Sequence, residues 1–277
     1  MSFVNYDTNT LNNVIIDFCE RNGISKSDID KIYESDMIKN NKLTRINPIV
    51  HTYGIRDISG PEEKDILVSD IIGFEPYNDK SNLFGILNTC YSDNNNSYGI
   101  RANDKLRLSK EEMLKEMEST LSYEPITLDE IEGKLLVSHN GCHRASILKL
   151  LYIDEALKGI NEQDLNEKYK FKGKVSKYDM TMTYMNYMLQ MMGAVDYIKI
   201  EYNEMGKPTG NYEIVSDTKT SATKDDVINL FNEALRKNPD KVDLSSINMY
   251  ASIPSFKDFL KEYVLKENEY GNSRNNL

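Results

Sequence analysis

A short apolar run that enters a glycine turn and leaves it as a helical repeat gives a chain few ways to fold. Residues Lys134 to Tyr152, KLLVSHNGCHRASILKLLY, are such a stretch. Leu135, Leu136 and Val137 read as a buried strand, and Ser138-His139-Asn140-Gly141 as a polar hinge. Ala145, Leu148, Leu151 and Tyr152 then recur at helical spacing. The prediction is strand, tight turn, helix, with Cys142, His143 and Arg144 in the first helical turn.

That order has a chemical consequence. The first turn of a helix carries backbone N–H groups without intrahelical acceptors, at the positive end of the macrodipole. Gly141 allows close approach of a ligand to the backbone. Together they predict an anion site, most often for phosphate. His143 and Arg144 add a titratable donor and a planar fork suited to phosphate oxygens. The dipole and Arg144 also predict a lowered thiol pKa for Cys142. The plain alternative is a helix start with exposed polar residues.

The tetrapeptide Gly141-Cys142-His143-Arg144, after a strand and opening a helix, resembles the GCHR signature of sulfiredoxins and the wider G-x-x-R box of the ParB/sulfiredoxin-like superfamily. Upstream, Ile66 to Ile72 resembles that family's first strand, Leu108 to Ser119 its following helix, and Glu124 to Leu128 the strand before the box. The likeness covers roughly Asp65 to Leu157. It implies an α/β (mixed α+β) fold with a ParB/sulfiredoxin-like core. It also implies ATP or another NTP as ligand, with Mg²⁺ screening the phosphates. Asn140, Gly141, His143 and Arg144 would then hold phosphate, with Lys115 and Ser119 from the preceding helix.

In relatives that phosphorylate free serine, an acidic loop residue acts as general base. Glu75, in Gly73-Phe74-Glu75-Pro76, stands near that place, with Asp70 as an alternative base or metal ligand. Sulfiredoxins carry a basic residue where this chain has Glu75. Their nucleotide helix also differs from Glu112, Lys115 and Ser119.

Three functions therefore stand open. One is an NTPase or phosphotransferase acting on a small molecule or protein as second substrate. Another is a sulfiredoxin-like reductase in which Cys142 attacks a phosphoryl-activated sulfinate. The third is a ParB-like DNA- or protein-binding module switched by nucleotide.

Charge weighs on the last. The formal net charge is −10, which disfavours a polyanionic partner, so nucleic acid is not expected. Three cysteines without metal-type spacing, no secretory leader and no long apolar run predict a reduced, cytoplasmic protein with no membrane partner. His139 and His143 bracket the turn, but nothing at ligand spacing completes a metal site.

Four segments are expected: a helical pair over 1–45, the core over 46–160, an α+β extension over 161–267, and a disordered tail over 268–277. Leu11, Val14, Ile15, Phe18 and Cys19 form one helix stripe. Ser25 and Asp28 cap a second helix with Ile29, Ile32, Tyr33 and Met37 facing inward. Arg45 to Gly60, punctuated by Pro48, Gly54 and Gly60, reads as strand and loop.

Tyr53-Gly54-Ile55-Arg56 recurs as Tyr98-Gly99-Ile100-Arg101; coincidence is the simpler reading, and an arginine beside a bound anion the other. Residues 78–103 form an insertion, a lid or a decoration, with a short helix at Leu83 to Leu87. Ser109 to Glu112 is a capping box. Lys168 to Val175 is a basic strand. Asp179 caps a helix with a methionine stripe, read as core filler. Tyr197 to Tyr202 and Tyr212 to Val215 form a hairpin around Gly206 to Asn211, which lacks P-loop spacing. Helices follow Thr223 and Pro254.

Overall fold

The computed structural model describes residues 13–77, 79–89, 108–112, 114–115, 124–138, 140–238, 250 and 252–265. Ser119, His139, Arg101, Cys90, most of the 78–103 insertion and the 268–277 tail lie outside them. The described helices are α1 (Asn13–Arg21), α2 (Lys26–Glu34), α3 (Leu43–Ile46), α4 (Pro48–Tyr53), α5 (Leu83–Thr89), α6 (Cys142–Leu157), α7 (Glu162–Lys168), α8 (Met180–Met191), α9 (Lys224–Lys237) and α10 (Pro254–Phe259). The strands are β1 (Glu62–Leu67), β2 (Ile71–Phe74), β3 (Ile126–Ile131), β4 (Lys134–Val137), β5 (Lys170–Lys177), β6 (Tyr197–Tyr202), β7 (Pro208–Val215) and β8 (Lys219–Ala222). The fold is mixed α/β, with a five-stranded and a three-stranded sheet.

The chain divides into two compact units. One comprises 1–43 and 61–176, the other 44–60 and 177–277. These limits differ from the four segments expected from sequence. The N-terminal helices share their core with the sheet: Ile15, Phe18, Ile24 and Ile32 join Leu128, Ile147 and Ile153 in one apolar cluster. Residues 44–60 join the C-terminal region.

In the first unit the strand order is β1-β5-β3-β4-β2. β2 runs parallel to β4, β3 antiparallel to β4, and β1 antiparallel to β5. The single strand expected over Ile66 to Ile72 is in fact two. Val68–Asp70 is a 3₁₀ turn, and the strands it joins lie on opposite edges of the sheet. Ser69-Asp70 supplies the turn chemistry that breaks the apolar run. Four strand spacings in a flat sheet would separate those edges by about 19 Å, whereas four Cα steps reach only about 14 Å. The sheet is therefore curled until its edges approach.

α6 is enclosed: every residue from Arg144 to Asp154 is buried. Such a helix is apolar on several faces instead of one stripe. The expected basic strand is β5, and it alternates: Phe171, Gly173 and Val175 inward and Lys170, Lys172 and Lys174 outward. The second helix ends earlier than expected. Its capping box of Ser25 and Asp28 is present, but Tyr33 and Met37 are each 38% exposed, not turned inward.

In the second unit, the stretch expected as strand and loop is helical up to Tyr53, through α3 and α4, and loop from Gly54 to Gly60. Pro48 occupies the first helical position of α4, where its missing N–H is harmless, and Asn47 Oδ1 accepts from Val50 N at 3.1 Å. α8 turns Met182, Met185 and Met188 inward, and Met192 at its C-terminal cap joins them, in one cluster with Phe231 and Phe256, while Met191 is 48% exposed. The expected hairpin is β6–β7, and β8, not anticipated, adds a third strand. Thr223 and Asp226 form a capping box at α9. The last helix continues from α10 into π-helical turns over Leu260–Leu265.

Candidate functional site

Parallel strands bring their carboxyl ends to one edge, which is where open α/β sheets place ligands. Here β2 ends at Phe74 beside Val137, the end of β4. Two loops leave this edge: the 3₁₀ turn Glu75–Tyr77 from β2, and Ser138 to Gly141 from β4, which opens α6.

β3 shapes the second loop. Thr127 O accepts from Ser138 N (2.9 Å), Thr127 Oγ1 from Asn140 N (2.7 Å), and Asn140 O accepts from Thr127 N (3.1 Å). Asn140 Nδ2 donates to Pro125 O at 3.1 Å. Asn140, expected on phosphate, thus spends its backbone N–H and side-chain amide on the turn. Gly141 has φ of +85°, and a Cβ there would lie 2.6 Å from Ile126 Cγ1. Both facts require glycine. No side chain caps α6 at Gly141, and its first intrahelical bond is Ala145 N to Gly141 O at 2.8 Å. The amides of Cys142, His143 and Arg144 precede that bond.

The three side chains of this turn are all at least partly buried. Cys142 is 7% exposed. Burial, with the nearby Glu75 carboxylate adding to it, pushes its thiol up to about 12. The expected lowering is therefore wrong: desolvation of a thiolate outweighs the helix dipole. Arg144 is buried and engaged in interactions of its own, not extended into solvent. His143 is partly buried, and burial lowers its pKa from the ordinary 6.5, so it is neutral at pH 7.

Glu75 does stand by this turn, since its charge is felt at Cys142. Its neighbour Tyr77 closes the distance between the loops: the Tyr77 hydroxyl lies 2.8 Å from His143 Nε2. Asp70 is elsewhere, in the 3₁₀ turn at the amino end of β2. There its carboxylate acts on Lys149. Lys115 is exposed, with no hydrogen bond or ion pair among the described residues. Arg56 belongs to the second unit, its guanidinium 6.0 Å from the Tyr178 ring centroid. Among the described residues no group of three or more His, Cys, Asp or Glu is arranged to hold a metal ion.

Sequence reasoning missed three residues. Tyr77 sits two positions beyond Glu75, in a loop whose geometry sequence does not fix. Asn40 is 6% exposed and wraps the same loop: Oδ1 accepts from Phe74 N (2.8 Å), and Nδ2 donates to Tyr77 O (3.0 Å) and Lys80 O (3.1 Å). Lys149 is buried within α6 and donates to Val68 O, Ser69 O and Ile71 O at 3.1, 3.3 and 2.8 Å. The one available signal was a lysine inside the apolar run ILKLLY.

Known protein families, characterised proteins and solved structures were compared with this chain, and none matches it. No described helix is long and apolar enough to cross a membrane.

Proposed function

We propose that the protein is a nucleotide-binding enzyme of ParB/sulfiredoxin-like type, hydrolysing an NTP or passing its phosphoryl group to a small molecule or protein. The carrying observation is the entrance to α6: a left-handed Gly141, no side-chain cap, and a helix of 16 residues at the carboxyl ends of two parallel strands. The amides that precede the first intrahelical bond, with the helix dipole, favour phosphate oxygens there. His143 supplies a neutral donor, and Glu75 a carboxylate from the neighbouring loop. A carboxylate beside phosphate repels it unless a cation intervenes or a proton is shared, so Mg²⁺ would arrive on the nucleotide with Glu75 as ligand or base.

Reductase chemistry through Cys142 is disfavoured, because a thiol held near 12 is not a nucleophile at neutral pH.

Calorimetric titration of the full chain with ATP, CTP and GTP, each with Mg²⁺, tests the proposal. Saturable binding is expected for at least one, weakened tenfold or more in His143→Ala. Absence of binding at millimolar nucleotide would overturn it.

A further inference from the structure

The Tyr77–His143 contact has a direction that its chemistry decides. A neutral imidazole offers one donor and one acceptor nitrogen. A phenol hydroxyl is the stronger acid of the two groups and the imidazole nitrogen the stronger base, so the favoured arrangement has Tyr77 donating to an unprotonated Nε2. The ring proton then resides on Nδ1, which has no partner among the described residues. Free histidine prefers the opposite tautomer, so the contact selects the less common one.

The contact depends on where the Glu75–Tyr77 turn is held. Asn40 touches that loop at three points, its start at Phe74 N, its middle at Tyr77 O and its far side at Lys80 O. The backbone beside it adds Asn40 N to Ser81 O and Asn41 N to Ile72 O, each at 3.1 Å. Residue 73 is glycine because this strap passes so close: a Cβ there would lie 2.1 Å from Asn41 O. Both amide protons and the carbonyl of Asn40 are consumed by one loop 34 to 40 residues away. That is the work of a brace, where a generic buried polar residue would need one partner.

We infer that Tyr77 and Asn40 are positioning residues of this site: Tyr77 donates to Nε2 of His143 and fixes its proton on Nδ1, and Asn40 holds Tyr77 in reach. Nδ1–H is then the donor left for a phosphate oxygen at the start of α6. The use of that donor rests on the proposed nucleotide function. The tautomer itself does not.

Side-chain ¹⁵N–¹H correlation spectra of the full chain at neutral pH, without nucleotide, read the tautomer directly. The His143 signals are assigned by their loss in His143→Gln. The expected pattern is a pyrrole-type Nδ1 and a pyridine-type Nε2. Tyr77→Phe is expected to shift His143 to the Nε2–H form. Asn40→Asp, which keeps the acceptor for Phe74 N but loses both donations, is expected to do the same, and Asn40→Ala serves if that variant does not fold. An Nε2–H wild type, or an Nδ1–H pattern surviving Tyr77→Phe, would overturn the role of Tyr77. A pattern surviving the Asn40 variants would overturn the role of Asn40. Failure of nucleotide to bind while the Nδ1–H pattern stands would remove the nucleotide reading alone.

Discussion

The ammonium of Lys149 lies 2.8 Å from the carbonyl oxygen of Ile71, with Val68 O and Ser69 O completing its three acceptors. Val68 to Ile71 is where the chain passes from one edge of the curled sheet to the other. A 3₁₀ turn leaves carbonyls that no neighbouring strand satisfies, and buried acceptors need donors. A lysine has three N–H donors, so one side chain closes the account. The helix that presents Gly141 to solvent at its start thereby anchors the sheet crossover two turns later.

Lys149→Met should remove the side-chain donor shared by the three carbonyls, of which Val68 O keeps the bond from Ile71 N. The expected loss is about 2 kcal/mol of unfolding free energy, from the Ser69 and Ile71 carbonyls that lose this donor. Urea denaturation of the two proteins measures it, and a loss under about 1 kcal/mol would mean water replaces the ammonium. The pH dependence has a defined sign. Burial pushes the Lys149 ammonium down to about 8 from 10.5, against the attraction of Asp70. Between those values the unfolded chain binds more protons, so this group's contribution to stability rises with pH across the window. Below about 8 both states are protonated and the desolvation penalty stands in full. The stability difference between wild type and Lys149→Met should therefore widen as pH climbs through that range.

Cys142 and Cys19 should both resist alkylation. Burial holds each thiol near 12, and Cys19 also feels Asp154. Iodoacetamide at pH 8, followed by peptide mass mapping, should label neither in the folded protein and both in urea. Rapid labelling of Cys142 in the folded state would restore a nucleophilic role. Cys142→Ser should leave nucleotide affinity within about twofold, well under the tenfold of 1.4 kcal/mol.

Gly73→Ala should destabilise the first unit by about 2 kcal/mol, the usual scale for overpacking. The added Cβ meets backbone at Asn41 O, 2.1 Å away, and Leu136 Cδ2 at 2.7 Å, so the strap or the strand must shift. Thermal unfolding measures the loss. Hydrogen exchange should also rise in residues 74–77, because the displaced strap carries Asn40.

Asn186 is the corresponding brace of the second unit. Its Oδ1 accepts from Ile198 N and Gln190 Nε2, each at 2.9 Å, and its Nδ2 donates to Tyr53 O at 3.0 Å. It joins α4, α8 and β6 through one buried amide. Asn186→Ala should cost about 2 kcal/mol. Exchange should increase in 44–60 and 177–238, and not in β3 or β4. An increase spread evenly over both units would contradict two separate cores.

What the sequence determined by itself is local. The β4–turn–α6 stretch was legible because its signals lie within one window: an apolar triplet, a glycine, then a 3.6-residue repeat. The caps at Ser25, Ser109 and Thr223 were legible for the same reason, each pairing with an acid three residues on. Where a local signal had two meanings the reading failed. Pro48 marks a helix start as well as a loop, and Ile66 to Ile72 is apolar enough for one strand while Ser69-Asp70 breaks it into two. The tertiary structure alone decided the rest. It places Tyr77 against His143 across 66 residues of chain and Asn40 against the Glu75 loop across about half that distance. It sets the Cys142 thiol by burial, against the sign its helix position implies. Hydrogen bonds and desolvation depend on which distant groups arrive and how much water they exclude, and no window of sequence contains that.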